Sequence, residues 1–585
     1  MEFEKGATGA VLKRLWKYLR FYKKETVLAP LFKLTETSFE LMVPLIVAAI
    51  IDRGIAEGDF GYIVRMSLIL VAFAVAGLAF AVTAQYFAAK AAVGCSARMR
   101  HALFKHISSL SYTEIDSLGA STLITRMTSD INQIQAGVNM SLRLLLRSPF
   151  IIFGAMVMSF TVDTKCAMVF MWAIPALAAV IFGIMLVTMP LYRRVQKQLD
   201  VITSKTRENI NGARVIRAFS MESGETDDFK AQNDALAHIQ KFVGKISVLT
   251  NPITYIIING AVIWLIYKGA AEVNIGALTS GKVVALYNYM SQILIELIKL
   301  ANMTVILSRS IACGKRVWAI MDVKSSMGSG TVTEGDSGAA AVEFDGVSLR
   351  YKGSAENAIE GISFTARRGE TIGIIGGTGS GKTSLINLIP RFYDASAGSV
   401  KVDGVDVRDY DIDALRKKIG VVPQKAALFK GTILSNITWG GDASADAVDA
   451  ALKAAQAEDI AQSRHNGINA AVEANGANFS GGQRQRLTIA RALAREPEIV
   501  ILDDSASALD LATDAALRDA IEKLPYDPTI FIVSQRVSSV MHADKIIVLE
   551  DGAAVGCGTH SELLGACEVY DEIYYSQFPK GVYGE

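Results

Sequence analysis

The segment GGTGSGKT has the residue types and spacing of a phosphate-binding loop. Its glycines let backbone amides wrap a phosphate, and the Lys382 ammonium can reach the outer phosphates of a nucleotide. A strand, TIGII, is predicted before the segment and a helix, SLINLI, after it, which is the context that such a loop requires. The residues expected to bind the nucleotide phosphates are Gly376, Gly377, Thr378, Gly379, Ser380, Gly381, Lys382, Thr383 and Ser384.

Two adjacent acids end a second apolar run, IVILDD, which has the pattern of a buried strand. At the tip of that strand, Asp503 can hold Mg²⁺ through water and complete a pair of groups with the Thr383 hydroxyl. Asp504 lies where a general base would orient the water that attacks a phosphate. The pattern therefore indicates a site for a Mg²⁺–nucleotide complex.

A glycine-rich segment, NFSGGQRQRL, offers a second phosphate-binding surface. A helix that begins after Ser480, Gly481 and Gly482 would present backbone amides and a hydroxyl to a phosphate. One chain cannot easily direct both this segment and its own phosphate-binding loop at one nucleotide. We therefore expect two nucleotide-binding domains to meet head to tail with ATP between them. The residues expected to serve the partner's ATP are Phe479, Ser480, Gly481, Gly482 and Gln483.

The overall composition bounds the class of protein. The chain has 585 residues, of which 51% are hydrophobic and only 20% are charged. This length suffices for roughly two to four domains, and the composition is unusually apolar for a soluble protein. The formal net charge is +1, so charge gives no argument for binding nucleic acid, and none is expected as a partner. The cysteines lie far apart without a C-x-x-C pair, which argues against a disulfide framework or a zinc site.

The apolar residues are concentrated before about residue 320, in six segments long enough to cross a bilayer. The second segment continues in helical pattern from Ile63 to about Leu110, so it must project beyond the membrane. Basic residues cluster on one side of the six segments, which places both termini in the cytoplasm. The chain is expected in the plasma (inner) membrane. The segments run roughly over 27–52, from Met66, near Phe150, from Cys166, from Ile253, and over 282–320.

Four regions follow from these patterns. Residues 1–25 are predicted to form a basic amphipathic elbow segment on the lipid bilayer, and residues 26–322 a transmembrane domain with six helices and two cytoplasmic turns. Residues 323–341 have the small, polar composition of a linker. Residues 342–585 alternate β-branched runs with helical patterns. The expected fold is an all-α transmembrane domain followed by an α/β P-loop nucleotide-binding domain.

Three charged residues lie within the first apolar segment, at Lys33, Glu36 and Glu40. Their spacing of three and four places them on one face of a helix. Charges at such positions should face the interior of the bundle or a water-filled cavity. They either pair structurally or contact a polar substrate, and the sequence leaves both interpretations open.

Together these motifs resemble those of the ATP-binding cassette (ABC) transporters, specifically half-transporters of the exporter type, over nearly the whole chain. FSGGQRQRL is similar to the family signature, with Phe479 in place of the commoner leucine. The resemblance implies that Tyr351 stacks on adenine and that Gln424 senses Mg²⁺. It also implies a loop that crosses to the opposite ATP site, formed by Ser507, Ala508, Leu509 and Asp510. The implied Mg²⁺ ligands are Thr383, Gln424 and Asp503.

The same resemblance assigns two coupling helices, near Tyr112–Asp116 and Arg214–Phe219. One would dock mainly on the chain's own nucleotide domain and the other on that of the partner. ATP binding would then close the nucleotide domains and switch the helix bundle from inward- to outward-facing.

Two departures from the family pattern concern catalysis. The usual catalytic glutamate is replaced by Asp504, and the usual switch histidine by Gln535. A carboxylate shortened by one methylene is displaced, and glutamine cannot become an imidazolium. Since the signature is intact, we expect the degenerate half of a heterodimer with a second ABC half-transporter, exporting a small molecule, drug, lipid or peptide.

Other interpretations remain open at this point. The motifs do not encode direction, so an importer with the exporter-type fold is one alternative, and a homodimeric exporter is another. A non-transporting regulatory membrane ATPase is a third. A soluble cassette ATPase of translation or DNA repair is disfavoured by the six membrane segments.

Overall fold

The computed structural model describes residues 2–441 and 443–578. The chain divides into two compact units. The first unit holds the residues up to Ser108 together with Ser121–Val323, and it is helical. The second unit holds the residues from Lys324 onward together with the short segment Ser109–Ala120.

The helices up to residue 321 are α1 (Glu2–Leu19), α2 (Lys23–Ala49), α3 (Phe60–Ser108), α4 (Tyr112–Leu118), α5 (Ala120–Thr125), α6 (Ile131–Leu144), α7 (Arg147–Val162), α8 (Thr164–Asn211), α9 (Ala213–Ala218), α10 (Glu222–Val248), α11 (Thr250–Asn274) and α12 (Ser280–Met321). Within the described residues, six helical stretches are long and apolar enough to cross a membrane, as predicted. They are Gly9–Ile55, Phe60–Ser108, Ala120–Val162, Thr164–Asn211, Glu222–Asn274 and Ser280–Met321.

These stretches are much longer than a bilayer requires. Helix α3 has 49 residues, which makes it about 74 Å long against roughly 30 Å of hydrocarbon. The prediction of one continuous helix from Ile63 to about Leu110 is therefore confirmed to within a few residues. The third stretch begins well before the apolar segment predicted near Phe150. It includes α6, which that prediction did not cover because α6 is amphipathic rather than uniformly apolar. Helix α6 buries Ile131, Ile134 and Val138 on one face and exposes polar residues on the other.

The charged residues of the first apolar segment are paired in the structure. The Lys33 ammonium lies 2.5 Å from a Glu36 carboxylate oxygen. On the same helix, Glu40 accepts from the Arg147 guanidinium at 2.8 Å, and Arg147 also donates to the buried Glu296 at 3.2 Å. The Ser148 hydroxyl donates to Glu296 at 2.7 Å. Among the two interpretations that the sequence left open, these contacts favour structural pairing.

The strands of the second unit are β1 (Val342–Leu349), β2 (Ile359–Ala366), β3 (Thr371–Gly376), β4 (Ala397–Val402), β5 (Val405–Asp406), β6 (Ile419–Val422), β7 (Gly431–Thr432), β8 (Ala471–Val472), β9 (Ile499–Asp503), β10 (Thr529–Val533), β11 (Lys545–Glu550) and β12 (Ala553–Gly558). Its further helices are α13 (Lys382–Ile386), α14 (Ile412–Lys417), α15 (Ile433–Ile437), α16 (Ala445–Ala454), α17 (Glu458–Gln462), α18 (Gly481–Leu493), α19 (Leu511–Glu522), α20 (Val537–Val540), α21 (His560–Leu563) and α22 (Glu568–Gln577).

A six-stranded sheet forms the centre of this unit, in the order β12-β11-β3-β10-β9-β6. Five strands are parallel, and β12 pairs antiparallel at one edge. Strands β9 and β10 are buried throughout, as expected for strands covered on both faces. A four-stranded antiparallel sheet has the order β2-β1-β4-β5. The predicted architecture, a helical domain with six candidate membrane spans followed by an α/β domain, is confirmed.

The register of the parallel strands brings their carboxyl ends together. Val533 at the end of β10 lies opposite Asp503 on one side and Ile374 on the other. The loop after β3, the acids after β9 and the turn after β10 therefore meet at one edge of the sheet, where ligands bind in open α/β sheets.

Candidate nucleotide site

The loop after β3 curls around the side chain of Lys382. The Lys382 ammonium donates to the carbonyl oxygens of Gly376 at 2.9 Å and Gly377 at 2.5 Å, and to Ser380 Oγ at 3.3 Å. Burial lowers the pKa of Lys382, while Asp504 and Asp503 oppose this shift. The ammonium is thus held at the centre of the loop, where it can contact a phosphate.

Two loop positions require glycine. Gly379 and Gly381 have φ angles of +86° and +94°, in the region that glycine adopts without strain. A Cβ atom on Gly381 would also lie 2.6 Å from the carbonyl oxygen of Ala358. Glycine at these two positions therefore allows the observed loop conformation without strain.

The groups expected to hold Mg²⁺ lie side by side. Thr383 Oγ1, in the first turn of α13, is 3.1 Å from both carboxylate oxygens of Asp503, the last residue of β9. Burial raises the pKa of Asp503, and neighbouring Asp504 raises it further, against the hydrogen bond from Thr383. A hydroxyl and a carboxylate are oxygen ligands of the kind that Mg²⁺ prefers. The donor set therefore fits the ion.

The two residues that depart from the family pattern lie at the same sheet edge. Asp504 has a φ of +47°, and its amide donates to the carbonyl oxygen of Val533 at 2.9 Å. Its Oδ2 accepts from the Gln424 side-chain amide at 3.3 Å. Gln535 is exposed two residues after Val533, at the end of β10.

Sequence reasoning missed a residue that holds the turn after β10. The side-chain amide of Gln577, at the end of α22, donates to the backbone oxygen of Gln535 at 2.8 Å. Its carbonyl oxygen accepts from the amide of Val537 at 2.9 Å. No local pattern in the sequence indicates this bracing, because the partners lie about 40 residues apart in the chain.

These groups surround a cavity of about 730 Å³, within the usual range for ligand pockets. Among the described residues that line it, four are acids and Lys382 is the only base. Since a nucleotide adds further negative charge, a divalent cation would have to accompany it. Glu356, Asn357 and Asp551 line the cavity although no motif predicted them. The predicted residues that line it are Tyr351, Thr378, Gly379, Gly381, Lys382, Thr383, Ser384, Gln424, Asp503, Asp504 and Gln535.

The aromatic residue expected to stack on adenine is half-buried at this cavity. Tyr351 Oη lies 2.9 Å from Ser384 Oγ, which fixes the ring beside the first turn of α13. The ring meets Tyr393 edge-on, with centroids 5.1 Å apart. This arrangement leaves Tyr351 on the cavity wall, where a flat base could stack against it.

The glycine-rich segment before α18 forms a separate surface. Ser480 is the N-cap of α18, and it forms a capping box with Gln483. Ser480 and Gly481 are exposed, whereas Phe479 is buried with the Arg464 guanidinium 4.7 Å from its ring centroid. None of the described residues that line the cavity around Lys382 comes from this segment.

Comparison with known proteins places the chain in a family. Residues 26–297 match the ABC transporter transmembrane region, and residues 359–507 match the family described as ABC transporter. An uncharacterized ABC transporter ATP-binding protein of Mycobacterium tuberculosis is 35% identical over 97% of this chain and 98% of its own length. The chain belongs to the ABC transporter family. Its second unit is accordingly an ABC ATPase domain.

Two more distant similarities add detail. The chain is 27% identical to the ATP-dependent lipid A-core flippase of Vibrio vulnificus, over 98% of this chain and 99% of the flippase. The structure of a bacterial Atm1-family ABC exporter with ATP bound matches with a TM-score of 0.78 and 22% sequence identity, over 96% of this chain and 99% of that chain. The second match shows that the ABC transporter has the exporter-type fold.

The loop after Asp504 packs against the signature segment of this ABC transporter. The Ser507 hydroxyl donates to the Asp504 carbonyl oxygen at 2.8 Å, and Asp510 caps α19 by accepting from the Thr513 amide. A Cβ atom on Gly482 would lie 3.1 Å from the carbonyl oxygen of Ala508. Ser507, Ala508 and Asp510 are exposed, and Leu509 is buried. The loop and the signature thus form one continuous surface.

Both predicted coupling segments are short helices in the ABC transporter. Helix α4 belongs to the second unit, where the Tyr112 ring lies 4.9 Å from the Phe392 ring and Tyr393 Oη donates to Asp116 at 2.6 Å. Burial and the Asp116 carboxylate raise the pKa of Tyr393, so its phenol stays protonated and donates. Helix α9 belongs to the first unit, and it ends beside the exposed Phe219.

Proposed function

We propose that this chain is one half of a heterodimeric, ATP-driven exporter whose own nucleotide pocket binds ATP but hydrolyses it slowly. The observation that carries the proposal is that Asp504 and Gln535 line the same cavity as Lys382. Both positions at which the family places catalytic groups are altered, while the phosphate-binding loop is intact.

The chemistry of the two substitutions supports slow hydrolysis. An aspartate carboxylate is about 1.5 Å shorter in reach than a glutamate carboxylate. Positioning supplies much of the catalysis in phosphoryl transfer, so a displacement of this size lowers the rate strongly. The Gln535 amide can hydrogen-bond a γ-phosphate, but it cannot carry the positive charge of an imidazolium.

Binding does not depend on these two groups. The loop amides and Lys382 would hold the phosphates, and Tyr351 would stack on adenine. Thr383 and Asp503, with Gln424 nearby, would hold Mg²⁺, which when bound neutralises phosphate charge. The degenerate pocket would therefore keep ATP between the two nucleotide domains.

The separate signature surface supports a second chain. Ser480 and Gly481 are exposed and lie outside the cavity formed by this chain's own loop. They would complete the ATP site of a partner that carries Glu and His at the two altered positions. Hydrolysis at that site would reset the transporter, while the coupling helices would transmit closure of the nucleotide domains to the helical domain.

The membrane side and the cargo belong to the same proposal. Basic residues in α1, in the last third of α3, in the second half of α8 and in α10 favour placing the ATPase domain and both termini in the cytoplasm. We place the chain in the plasma membrane. The full-length similarity to a protein named as a lipid A-core flippase supports an amphiphilic cargo. Uptake by inside-out vesicles that contain the pair would establish export, and uptake by right-side-out vesicles alone would instead indicate import.

The decisive experiment compares two substitutions in this chain within the purified pair. Asp504→Asn should change phosphate release less than twofold, because the proposed pocket contributes little turnover. Ser480→Ala should lower it at least tenfold, because it damages the partner's site. Robust ATP turnover by the chain alone, abolished by Asp504→Asn, would instead support a homodimer with identical active pockets.

A further inference from the structure

An apolar cavity of about 310 Å³ lies within the first unit, between the N-terminal helix α1 and the bundle. Its walls come from α1, α3, α6 and α12, and include Leu15, Met99, Val138 and Ile311. The volume is about twice the roughly 150 Å³ of an apolar cavity that admits benzene. The cavity is partly open, so an apolar molecule can enter it and make contacts that its walls otherwise lack.

Two glycines mark where the helices around this cavity pack closely against each other. A Cβ atom on Gly314 of α12 would lie 2.8 Å from a methyl carbon of Val11 on α1. Gly137 of α6 is packed just as closely against Ser310 of α12. At both glycines a side chain of the neighbouring helix rests against the glycine backbone, so the helices are closely packed on either side of the cavity. An apolar molecule that enters the cavity can supply the contacts that its walls lack.

One wall carries a polar group without a partner. Trp318 is only 6% exposed, and within the described residues no acceptor lies in hydrogen-bond range of its indole Nε1. The Tyr18 ring, at 5.8 Å, holds the indole in place. Arg14 lies 6.0 Å from the indole centroid and is itself paired with Asp322 at 2.7 Å. A buried indole N–H normally finds an acceptor, so the occupant should carry an oxygen beside its apolar part.

The position of the cavity indicates where that occupant comes from. Leu307, which also lines it, lies about 40 Å along α12 from Ser280, beyond the roughly 30 Å of hydrocarbon. From Gly9 to Lys24 the sequence holds six basic residues and no acid, and it exposes Leu12 and Trp16. A basic helix with exposed apolar residues lies at the headgroup level and attracts anionic lipid.

We propose that this cavity binds one acyl chain of an anionic phospholipid from the leaflet that contacts α1. An ester or phosphate oxygen of the lipid accepts from Trp318 Nε1, and the basic residues of α1 attract the headgroup. The bound lipid thereby fastens α1 to α6 and α12. This site is independent of the nucleotide pocket and of the proposed assembly.

The test uses Trp318 as the only tryptophan of the full chain, with Trp16, Trp172, Trp264 and Trp439 replaced by phenylalanine. The protein is placed in nanodiscs of zwitterionic phosphatidylcholine that contain a small fraction of phosphatidylglycerol brominated on its acyl chains. We expect saturable quenching of Trp318 fluorescence. The same fraction of brominated phosphatidylcholine should quench at least fivefold less at equal concentration.

A matched pair of substitutions at Ser141, which lines the cavity, separates this site from collisions with bulk lipid. Ser141→Leu places a larger apolar side chain in the space for the acyl chain and should weaken the quenching at least fivefold. Ser141→Ala removes the same hydroxyl without adding volume. Its Trp318 fluorescence should be quenched as strongly as that of the parent protein. Equal quenching in Ser141→Leu and Ser141→Ala would overturn the site, and equal quenching by the two lipids would overturn its preference for anionic lipid.

Native mass spectrometry of the unmodified chain supplies a second readout if the single-tryptophan protein does not fold. One phosphatidylglycerol should stay bound to the wild-type chain and to Ser141→Ala, and should be lost from Ser141→Leu. Trp318→Phe should retain less of the lipid, because the ring remains but the donor is gone. Retention of a non-lipid molecule at this stoichiometry, or equal lipid retention by all four proteins, would contradict the proposal.

Discussion

The side-chain amide of Gln424 donates to Asp504 Oδ2 at 3.3 Å. Gln424 follows β6 and Asp504 follows β9, and these two strands are paired in parallel. The residue implied to sense Mg²⁺ and the shortened acid therefore meet directly. If the shortened acid limits turnover, lengthening it should restore hydrolysis in this pocket.

Asp504→Glu combined with Gln535→His should raise ATP turnover by this pocket at least tenfold. The longer carboxylate would reach the attacking water, and the imidazole would supply a donor toward the γ-phosphate. Phosphate release is measured in the pair with the partner's catalytic Glu replaced by Gln, so that this pocket dominates. Asp504→Asn in the same background is the control and should stay at the basal rate. Unchanged turnover in the double variant would show that another feature limits this pocket.

Removal of Mg²⁺ should weaken ATP binding, because Asp503 would hold the ion that accompanies the nucleotide. Chelation with EDTA at pH 7 should raise the Kd for a fluorescent ATP analogue severalfold in the wild-type chain. Asp503→Asn should already bind weakly and respond little to EDTA, because the carboxylate next to Thr383 is gone.

Acidification should have the same effect as chelation. Since burial raises the pKa of Asp503, its carboxylate takes up a proton at a higher pH than an ordinary aspartate, whose pKa is 3.8. The proton competes with Mg²⁺, so affinity should fall on acidification above the ordinary aspartate range. Asp503→Asn titrated with the same analogue corrects for protonation of the nucleotide. Parallel pH profiles for the two proteins would contradict the assignment.

The residues that belong to local sequence motifs could be predicted from the sequence. The phosphate-binding loop and the acids after β9 follow from their spacing. The β-branched runs AVEFDGVSL, ETIGIIG, GSVKVDGV, KIGVVPQ, EIVILDD, TIFIVSQ and KIIVLEDG predict strands at β1, β3, β4, β6, β9, β10 and β11. Strand β2 was missed because Gly361, with a φ of +61°, interrupts its alternation and its register with β1. The polar half of the third membrane stretch is not predicted by apolar content, because α6 alternates buried apolar residues with exposed polar ones.

Contacts between distant segments could not be predicted. Gln577 binds the backbone on both sides of Arg536, but nothing in α22 distinguishes it from any other exposed glutamine. Likewise, the sequence predicts that the Glu40 charge faces the bundle interior or a water-filled cavity. It does not show that the partner of Glu40 is Arg147, which lies 107 residues away in the chain. Such pairs depend on how helices and strands pack, which local spacing does not encode.

Tyr393→Phe should uncouple transport from ATP binding. The substitution removes one hydrogen bond to Asp116 of α4 and keeps the ring, at a cost of about 1 kcal/mol to the docking of this helix. We expect cargo transport by the pair to fall severalfold, with the Kd for ATP unchanged. Tyr526→Phe is the matched control, because within the described residues the Tyr526 hydroxyl has no hydrogen-bond partner. Equal transport by the two variants would show that α4 does not depend on this bond.

Arg147→Met should destabilise the helical domain. The Arg147 and Glu296 side chains are only 10% and 3% exposed, and Glu40 accepts from the same guanidinium. Removing Arg147 leaves the buried Glu296 carboxylate with the Lys299 ammonium at 2.8 Å and the Ser148 hydroxyl, so the cost should stay below the roughly 3–5 kcal/mol of a fully uncompensated buried charge. The melting temperature of the protein in nanodiscs should therefore fall by several degrees. Arg147→Met with Glu296→Gln should recover part of the loss, because both buried charges are then removed together.

An exposed ion pair of the same unit provides the control. Lys165 contacts Glu272 at 2.9 Å, but its side chain is 70% exposed, so Lys165→Met should cost no more than about 1 kcal/mol. If Arg147→Met melts like Lys165→Met yet abolishes transport, the cluster of Arg147, Glu40 and Glu296 contacts the cargo rather than holding the helices together. That outcome would reverse the preference for structural pairing, because a residue needed only for binding can be removed without cost to the folded state.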